Sequence, residues 1–316
     1  MVEVQCAVTP GMPAFSIVGL PDKAVSEARD RVRTALTSMA IALPSKRITV
    51  NLAPADVPKV GNHYDLPIKL ALLAALDVIP AETTQNSIVM GELALDGSIG
   101  PIVGALPAAF TALEQGKTYL GPTANAAEAA AIAPNISFGA DHLQHFISHL
   151  SGTHLLRHAT PLDVEASDQS RPDLRDIRGQ ERAKRALEIA VAGGHHLFLV
   201  GPPGSGKTML AERAADLLPP LSAQEALDTA TIYSACGLLK DGVLRRTRPF
   251  RAPHHTASSA AIIGGGRLAG PGEISLAHHG ILFMDEFPEF ARPVLEALRQ
   301  PLETGKVDVA RANAHV

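Results

Sequence analysis

The sequence predicts an α/β fold in two domains. Its 316 residues exceed what one hydrophobic core usually holds, so a second domain is expected. An apolar run at residues 196–200, a glycine-rich loop and apolar residues at helical spacing predict a buried strand, a loop and a helix. A second apolar run at residues 281–284 predicts a central buried strand that ends at two carboxylates.

Residues 1–150 are predicted to form an α+β domain. Apolar residues in strand-like runs predict strands at residues 2–8, 15–20, 47–52 and 88–93, and Asp96-Gly97 predicts a hairpin turn. Helical spacing predicts helices at residues 23–39, 65–76, 105–115 and 124–131. We expect Arg29, Arg31 and Arg33 on the solvated face of the first helix. Residues 151–172, rich in Ser, Thr, Asp, His and Pro, are predicted to link this domain to a second one at residues 173–316.

Composition restricts the class of function. The chain is 46% hydrophobic and 19% charged, as is typical of a globular protein in water. A net charge of -4 gives no overall attraction to nucleic acid, so any DNA binding would need a local basic patch. Cys6 and Cys236 lie far apart, which favours a reducing compartment, and the longest apolar run is too short to span a bilayer. We therefore expect a cytoplasmic protein with no membrane partner.

Residues 201–208 read G-x-x-x-x-G-K-T, the pattern of a loop that binds nucleotide phosphates. Glycines allow several backbone N–H groups to converge on one phosphate cluster, and the following helix adds its positive end. Lys207 is expected to reach the β- and γ-phosphates, and Thr208 to hold Mg²⁺. A plain glycine-rich turn is the alternative. The predicted binding residues are Gly201, Pro202, Pro203, Gly204, Ser205, Gly206, Lys207 and Thr208.

The two carboxylates after the second apolar run complete the predicted chemistry. Asp285 would orient Mg²⁺ through its water shell, and Glu286 would polarise the water that attacks the γ-phosphate. Burial is expected to tune Glu286 toward the role of a base. Lys207, Asp285 and Glu286 are therefore the predicted catalytic residues.

Two pairs of adjacent histidines follow the loop, at residues 254–255 and 278–279. Adjacent residues on a strand point to opposite faces of the sheet, which is poor geometry for chelating a metal. We predict a structural role for both pairs.

Several motifs resemble those of the magnesium-chelatase-like AAA+ ATPases of the ComM/YifB type. They are I-V-G-L-P at residues 17–21, I-T-V-N-L-A-P-A-D at residues 48–56, R-P-F-R-A-P-H-H-T-A-S at residues 248–258 and P-G-E-I-S-L-A-H at residues 271–278. The resemblance implies a partial AAA+ P-loop domain after an amino-terminal domain similar to the proteolytic domain of Lon, in the ribosomal-S5-domain-2-like fold. The segment that resembles the Lon serine loop, residues 58–65, has no serine, and Pro107 occupies the lysine's position. The resemblance thus implies a non-proteolytic accessory domain.

The same resemblance implies ATP and Mg²⁺ as cofactors, a hexameric ring and an adenine-side turn formed by Ile177, Arg178 and Gln180. The predicted pore and DNA contacts are Arg248, Arg251, Arg267 and Arg311. In the family, the sensor residues, the arginine finger and the helical lid would lie beyond Val316. We therefore expect a chain truncated at both ends that binds ATP weakly and hydrolyses it slowly.

Three functions are compatible with these patterns. The first is an ATP-driven motor on DNA that acts in branch migration during recombination and natural transformation, as the resemblance implies. The second is the ATPase subunit of a metal chelatase, against which the Lon-like domain argues. The third is a regulatory protein that responds to ATP occupancy without needing turnover.

Overall fold

Helices and parallel strand pairs occur in both halves of the chain, which confirms the predicted α/β class. The computed structural model describes residues 1–38, 41, 43–161, 173–239, 244–265 and 270–307, and the backbone alone of residues 164–165, 310–311 and 314–315. Two compact units are present. The amino-terminal unit comprises Met1–Leu162 with Gly237–Gly242, and the second unit comprises Asp163–Cys236 with Val243–Val316.

The amino-terminal unit alternates short strands with helices. Its elements are β1 (Glu3–Thr9), β2 (Ala14–Val18), α1 (Lys23–Ser38), β3 (Arg47–Ala53), α2 (Asp65–Ala75), α3 (Ala81–Gln85), β4 (Ser87–Val89), β5 (Glu92–Leu93), β6 (Ile99–Gly100), α4 (Ala105–Glu114), β7 (Thr118–Gly121), α5 (Thr123–Ala130), β8 (Ser137–Gly139) and α6 (Leu143–Leu150). The predicted helices are confirmed to within two residues at their ends.

Two three-stranded sheets organise this unit. In the first, β3 lies between β1, which runs antiparallel to it, and β2, which runs parallel. Ile48, Val50 and Leu52 alternate toward the core from β3, where helical spacing brings five fully buried side chains of α1. In the second sheet β4, β7 and β8 are all parallel. The predicted hairpin turn joins β5 to β6.

Two details of the amino-terminal unit differ from the predictions. Arg31 is not solvated: its guanidinium binds both carboxylate oxygens of Asp65, at 2.7 and 2.9 Å, and Asp65 is fully buried at the start of α2. The predicted strand at residues 88–93 is interrupted between β4 and β5. A side chain at Gly91 would lie 2.9 Å from Leu66 and Ile99, so the backbone passes close to the core there.

The second unit contains shorter elements. They are β9 (Val164–Glu165), α7 (Glu181–Gly193), α8 (Lys207–Leu217), α9 (Ala223–Ala235), β10 (Leu244–Arg245), β11 (Phe250–Arg251), α10 (Ser259–Ile263), β12 (Gly264–Gly265), β13 (Gly270–Pro271), α11 (Glu273–Leu276), β14 (Ile281–Leu282), α12 (Arg292–Ala297), α13 (Arg299–Thr304), β15 (Ala310–Arg311) and β16 (Ala314–His315). No helix among the described residues of either unit is long and apolar enough to cross a bilayer.

The predicted strands of the second unit are only partly formed. Residues 196–200 form no strand and no helix, they pair with no strand in the described part of the chain, and Phe198 and Val200 are 70% and 83% exposed. Leu199 alone packs inward, against the cluster of Ile177, Leu187, Leu210 and Ala214. The expectation of a buried strand there is wrong, because burial requires neighbours on both sides. The run at residues 281–284, predicted as a central buried strand, is half-buried, and only its first two residues form a strand, β14, which pairs in parallel with β11.

Candidate nucleotide-binding site

The 201–208 loop leads directly into α8. Gly206 precedes the first helical residue with φ 82°, and Gly204 has φ 75°, both in the left-handed region that glycine adopts without strain. The backbone N–H of Leu210 donates to the carbonyl of Gly206 at 3.0 Å, which closes the first helical turn. The glycine-rich segment is therefore fixed at a helix N-terminus, an arrangement that favours anions.

The ammonium group of Lys207 lies against the backbone of its own loop. Lys207 Nζ donates to the carbonyl oxygens of Gly201 and Pro202, each at 3.0 Å. The ammonium group therefore curls back over the start of the loop and adds a full charge to the partial charges of the helix terminus. This arrangement gives the loop a positive end suited to phosphate groups.

A hydrogen bond joins Thr208 to Asp285 within the second unit. The hydroxyl of Thr208 donates to Asp285 Oδ2 at 3.2 Å, although the two residues are 77 positions apart. Asp285 lies three residues beyond β14, whose pairing with β11 sets the course of this segment. A hydroxyl and a carboxylate are the oxygen ligands that Mg²⁺ prefers, so this pair suits the predicted metal role.

Glu286 has a different environment from Asp285. Its backbone is left-handed (φ 52°, ψ 44°), its N–H donates to Asp285 Oδ1 at 2.9 Å, and Glu286 Oε2 lies 3.2 Å from His255 Nδ1. The side chain is 65% exposed, so the burial expected to tune it is not present in this structure. His255 is a neighbour that the sequence analysis missed, because only the three-dimensional path after β11 brings it to Glu286.

Family models match both halves of the chain. The model described as "Magnesium chelatase, subunit ChlI" matches residues 173–316, and the model described as "Subunit ChlI of Mg-chelatase" matches residues 2–125. YifB of Salmonella typhimurium is 48% identical over the whole chain, and the competence protein ComM of Haemophilus influenzae is 45% identical. The chain belongs to the magnesium-chelatase-like AAA+ family, of the YifB and ComM type.

Full-length relatives of this type are longer than the chain. The chain spans 62% of YifB of Salmonella typhimurium and 63% of ComM. A more distant similarity relates the chain to RuvB of Mycobacterium bovis, a Holliday junction branch migration complex subunit, with 29% identity over 154 aligned residues. The alignment covers 46% of this chain and 35% of RuvB. Residues outside the chain thus make up over a third of the two longer relatives.

The residues predicted to lie beside the adenine separate into three environments. Gln180 has a left-handed backbone, φ 59°, and its side-chain amide donates to the carbonyl of Ser205 in the 201–208 loop. Ile177 is 6% exposed and packs in the core against Leu210. Arg178 is exposed. Of the three residues, Gln180 contacts the loop, and Ile177 packs against Leu210 of the helix that follows it.

Two of the four arginines predicted to contact DNA are engaged inside the second unit. Arg248, with a side chain 12% exposed, donates to the carbonyls of Pro219 and His279 and lies 3.3 Å from Glu225. Arg251 binds both oxygens of Glu273, at 2.6 and 2.7 Å. This bidentate contact raises the pKa of Arg251. Both positive charges are therefore compensated locally, and the structure does not favour them as phosphate contacts.

The side chains of the other two arginines, Arg267 and Arg311, lie outside the described part of the chain. Arg267 lies outside the described residues. Arg311 belongs to the two-residue strand β15, of which the backbone alone is described. Their assignment as pore or DNA contacts stays a prediction.

Proposed function

We propose that this chain binds ATP with Mg²⁺ at the 201–208 loop, as part of an AAA+ ATPase that remodels DNA. The observation that carries the nucleotide site is the contact of Thr208 with Asp285 at 3.2 Å. It joins the loop that suits phosphate to the carboxylate that suits a metal-water shell. Neither local sequence pattern by itself predicts how close the two lie.

The residues of the proposed site have separate roles. Backbone N–H groups of the loop and the Lys207 ammonium would bind the phosphates, and Thr208 with Asp285 would hold the metal. Mg²⁺ supplies charge neutralisation on the phosphates when it is bound. Glu286 would accept a hydrogen bond from the attacking water and so orient it, with its carboxylate reachable because the side chain is exposed.

The DNA-remodelling part of the proposal rests on relatives. ComM is named a competence protein, and RuvB is named a subunit of a branch migration complex. Branch migration by a ring that encloses DNA is compatible with a phosphate-loop motor. We propose the hexameric ring on the ground of the same relatives, and the cytoplasmic location on the ground of the composition.

Nucleotide binding is tested by titrating the chain with a fluorescent ATP analogue, with and without Mg²⁺. We expect Lys207→Ala and Thr208→Ala to weaken binding at least tenfold, and Thr208→Ala to reduce the Mg²⁺ dependence. Lys46→Ala is the matched control, because Lys46 is an exposed lysine of the amino-terminal unit. Equal affinities of Lys207→Ala and Lys46→Ala would contradict the assignment of the loop.

The motor activity is tested on a chain of the relatives' full length. ATP turnover is measured with branched DNA, with linear duplex and without DNA, across a range of salt concentrations. Stimulation by branched DNA that declines with salt supports the proposal, because phosphate contacts release counterions. An ATPase rate that no DNA changes would contradict the motor and favour a switch controlled by ATP occupancy.

The ATPase subunit of a metal chelatase is the second candidate. Both family models carry the description of the magnesium-chelatase subunit ChlI, and the one at residues 2–125 covers the domain that the sequence analysis uses against this function. The amino-terminal domain therefore does not exclude it. ATP turnover that rises with a porphyrin-metallating partner and stays unchanged with DNA would favour this candidate.

A further inference from the structure

Asp228, His278 and His279 form a cluster of metal-binding side chains away from the 201–208 loop in sequence. One ligand atom from each lies within 4.8 Å of the other two. Asp228 belongs to α9, and the histidines occupy the turn between α11 and β14. His279 Nε2 lies 3.4 Å from Asp228 Oδ2, and the two imidazole centroids are 3.9 Å apart.

The backbone of the turn explains why the adjacent histidines converge. His279 has φ 56°, a left-handed conformation that is uncommon outside glycine. The prediction that the pair points to opposite faces assumes a strand, and it is wrong for this pair because the chain turns at His279. A left-handed, non-glycine residue marks a place where the surroundings hold a costly conformation, and such places concentrate at functional sites.

The turn is held on both sides. The hydroxyl of Tyr233 on α9 donates to the carbonyl of Leu276 at 3.0 Å, and the Arg248 guanidinium donates to the carbonyl of His279 at 2.7 Å. The N–H of Ile281 donates to the carbonyl of Pro249 at 2.8 Å, where β14 begins. The histidine pair is therefore presented to α9 by a fixed backbone rather than by a free loop end.

One nitrogen of the cluster lacks a hydrogen-bond partner. His279 Nε2 is buried and makes no hydrogen bond in the structure, although Asp228 lies within ion-pair distance. The other ring nitrogen, Nδ1, lies 3.7 Å from the carboxylate of Glu225, which Arg248 also contacts. Histidines that bind metals usually have one ring nitrogen that faces a carboxylate and one that is free of hydrogen bonds and can bind the ion. Nδ1 and Nε2 of His279 have these two environments.

We propose that Asp228, His278 and His279 bind a divalent transition-metal cation of the Zn²⁺ class. Two imidazole nitrogens and one carboxylate oxygen suit Zn²⁺, Co²⁺ or Ni²⁺, whereas Mg²⁺ prefers oxygen alone. Ligands about 2.1 Å from Zn²⁺ in a tetrahedral site lie about 3.4 Å apart, so atoms that lie within 4.8 Å of one another would have to approach by up to about 1.4 Å. His278 is exposed and can make that adjustment by rotating its side chain.

Such a metal would join α9 to the turn that precedes β14. Because β14 leads toward Asp285, the ion would fix the start of the segment that carries the candidate site. This proposal does not depend on nucleotide binding, since none of its ligands belongs to the 201–208 loop.

The test uses the whole chain, freed of metal by a chelator and titrated with Zn²⁺ alone. We expect a site of about one Zn²⁺ per chain and a higher unfolding temperature when it is filled. Asp228→Asn and His278→Gln should weaken this site at least tenfold. His254→Gln, which removes an exposed imidazole from the other adjacent pair, is the matched control and should bind Zn²⁺ as the unchanged chain does.

Two further measurements keep the outcome clear. Co²⁺ replaces Zn²⁺ and reports the ligand geometry by its visible absorption, and far-UV circular dichroism without metal shows that the variants are folded. Lys207→Ala should lose nucleotide affinity and keep Zn²⁺ affinity, which separates this proposal from the nucleotide site. Zn²⁺ binding that is equally tight in Asp228→Asn, His278→Gln and His254→Gln, or is absent from the unchanged chain, would overturn the proposal and leave only ion pairs among these side chains.

Discussion

Replacing Lys69 with methionine should stabilise the amino-terminal unit at neutral pH. Lys69 lies in the middle of α2, and its side chain is fully buried. Nζ donates to the carbonyl of Val32 on α1 at 2.9 Å. Burial lowers the pKa of Lys69 from 10.5 to about 7, because the charged ammonium loses its hydration.

The lowered pKa has a definite consequence for stability. Below pH 7 the lysine is charged in both states, and the folded chain bears the whole cost of burying that charge. Between pH 7 and 10.5 the unfolded chain binds more protons than the folded one, so the free energy of unfolding rises with pH. The full difference between the two pKa values corresponds to about 5 kcal/mol.

Methionine has a similar length and carries no charge. Loss of the hydrogen bond to Val32 and imperfect repacking offset about 2 kcal/mol of the gain, so Lys69→Met should be more stable than the unchanged chain by about 2–3 kcal/mol at pH 6. Between pH 6 and 9 the advantage should shrink by about 2–3 kcal/mol. Two of the three tyrosines, Tyr64 and Tyr119, belong to the same unit as Lys69, so urea unfolding followed by tyrosine fluorescence measures both quantities.

Lys46→Met is the control for this comparison, because Lys46 is exposed and has no buried charge to remove. The difference between Lys46→Met and the unchanged chain should be small and flat with pH. An advantage of Lys69→Met that does not change between pH 6 and 9, or a variant less stable than the unchanged chain at pH 6, would refute the reasoning.

Three other substitutions test contacts described above. Asp65→Asn should lower the free energy of unfolding by about 3 kcal/mol in urea, because it breaks the buried bidentate contact with Arg31. Gly206→Ala should weaken nucleotide binding, because φ is 82° and the added Cβ would lie 3.1 Å from the side chain of Gln180. Gly194 is also left-handed but has open space around it, so Gly194→Ala should leave nucleotide binding unchanged. Arg251→Ala should lower the thermal unfolding temperature by a few degrees, because it removes the contact with Glu273. At temperatures where the variant is folded, its DNA affinity should equal that of the unchanged chain.

Local patterns predict the four longer helices at residues 23–131 well, whereas helices such as α6 and α9 are not predicted. In α1 and α4 the spacing of apolar residues places the helix within two residues of its observed bounds. Gly206 marks the start of α8 because a left-handed residue is needed there. Apolar spacing and the glycine at a helix start both depend on residues close together in the chain, so the sequence alone is sufficient to predict them.

Predictions that depend on distant partners are less complete. Residues 196–200 have the apolar content of a buried strand, but strand burial requires hydrogen-bonded neighbours that no local pattern specifies. Arg31 resembles its solvated neighbours in sequence, yet its partner Asp65 lies 34 residues away. The convergence of His278 with His279 depends on one backbone angle, which a strand-based argument does not contain.

The arginine-rich run after β10 shows how a local charge count can mislead. Read along the sequence, Arg248 and Arg251 form a basic patch in an acidic protein, which favours phosphate contacts. In the structure each guanidinium satisfies a carboxylate from another segment, so the patch has little net positive charge where it is half-buried. Charge density along a sequence predicts a binding surface only when the partners of each charge are known. The same argument strengthens the 201–208 loop, where Lys207 donates to neutral carbonyls rather than to a carboxylate.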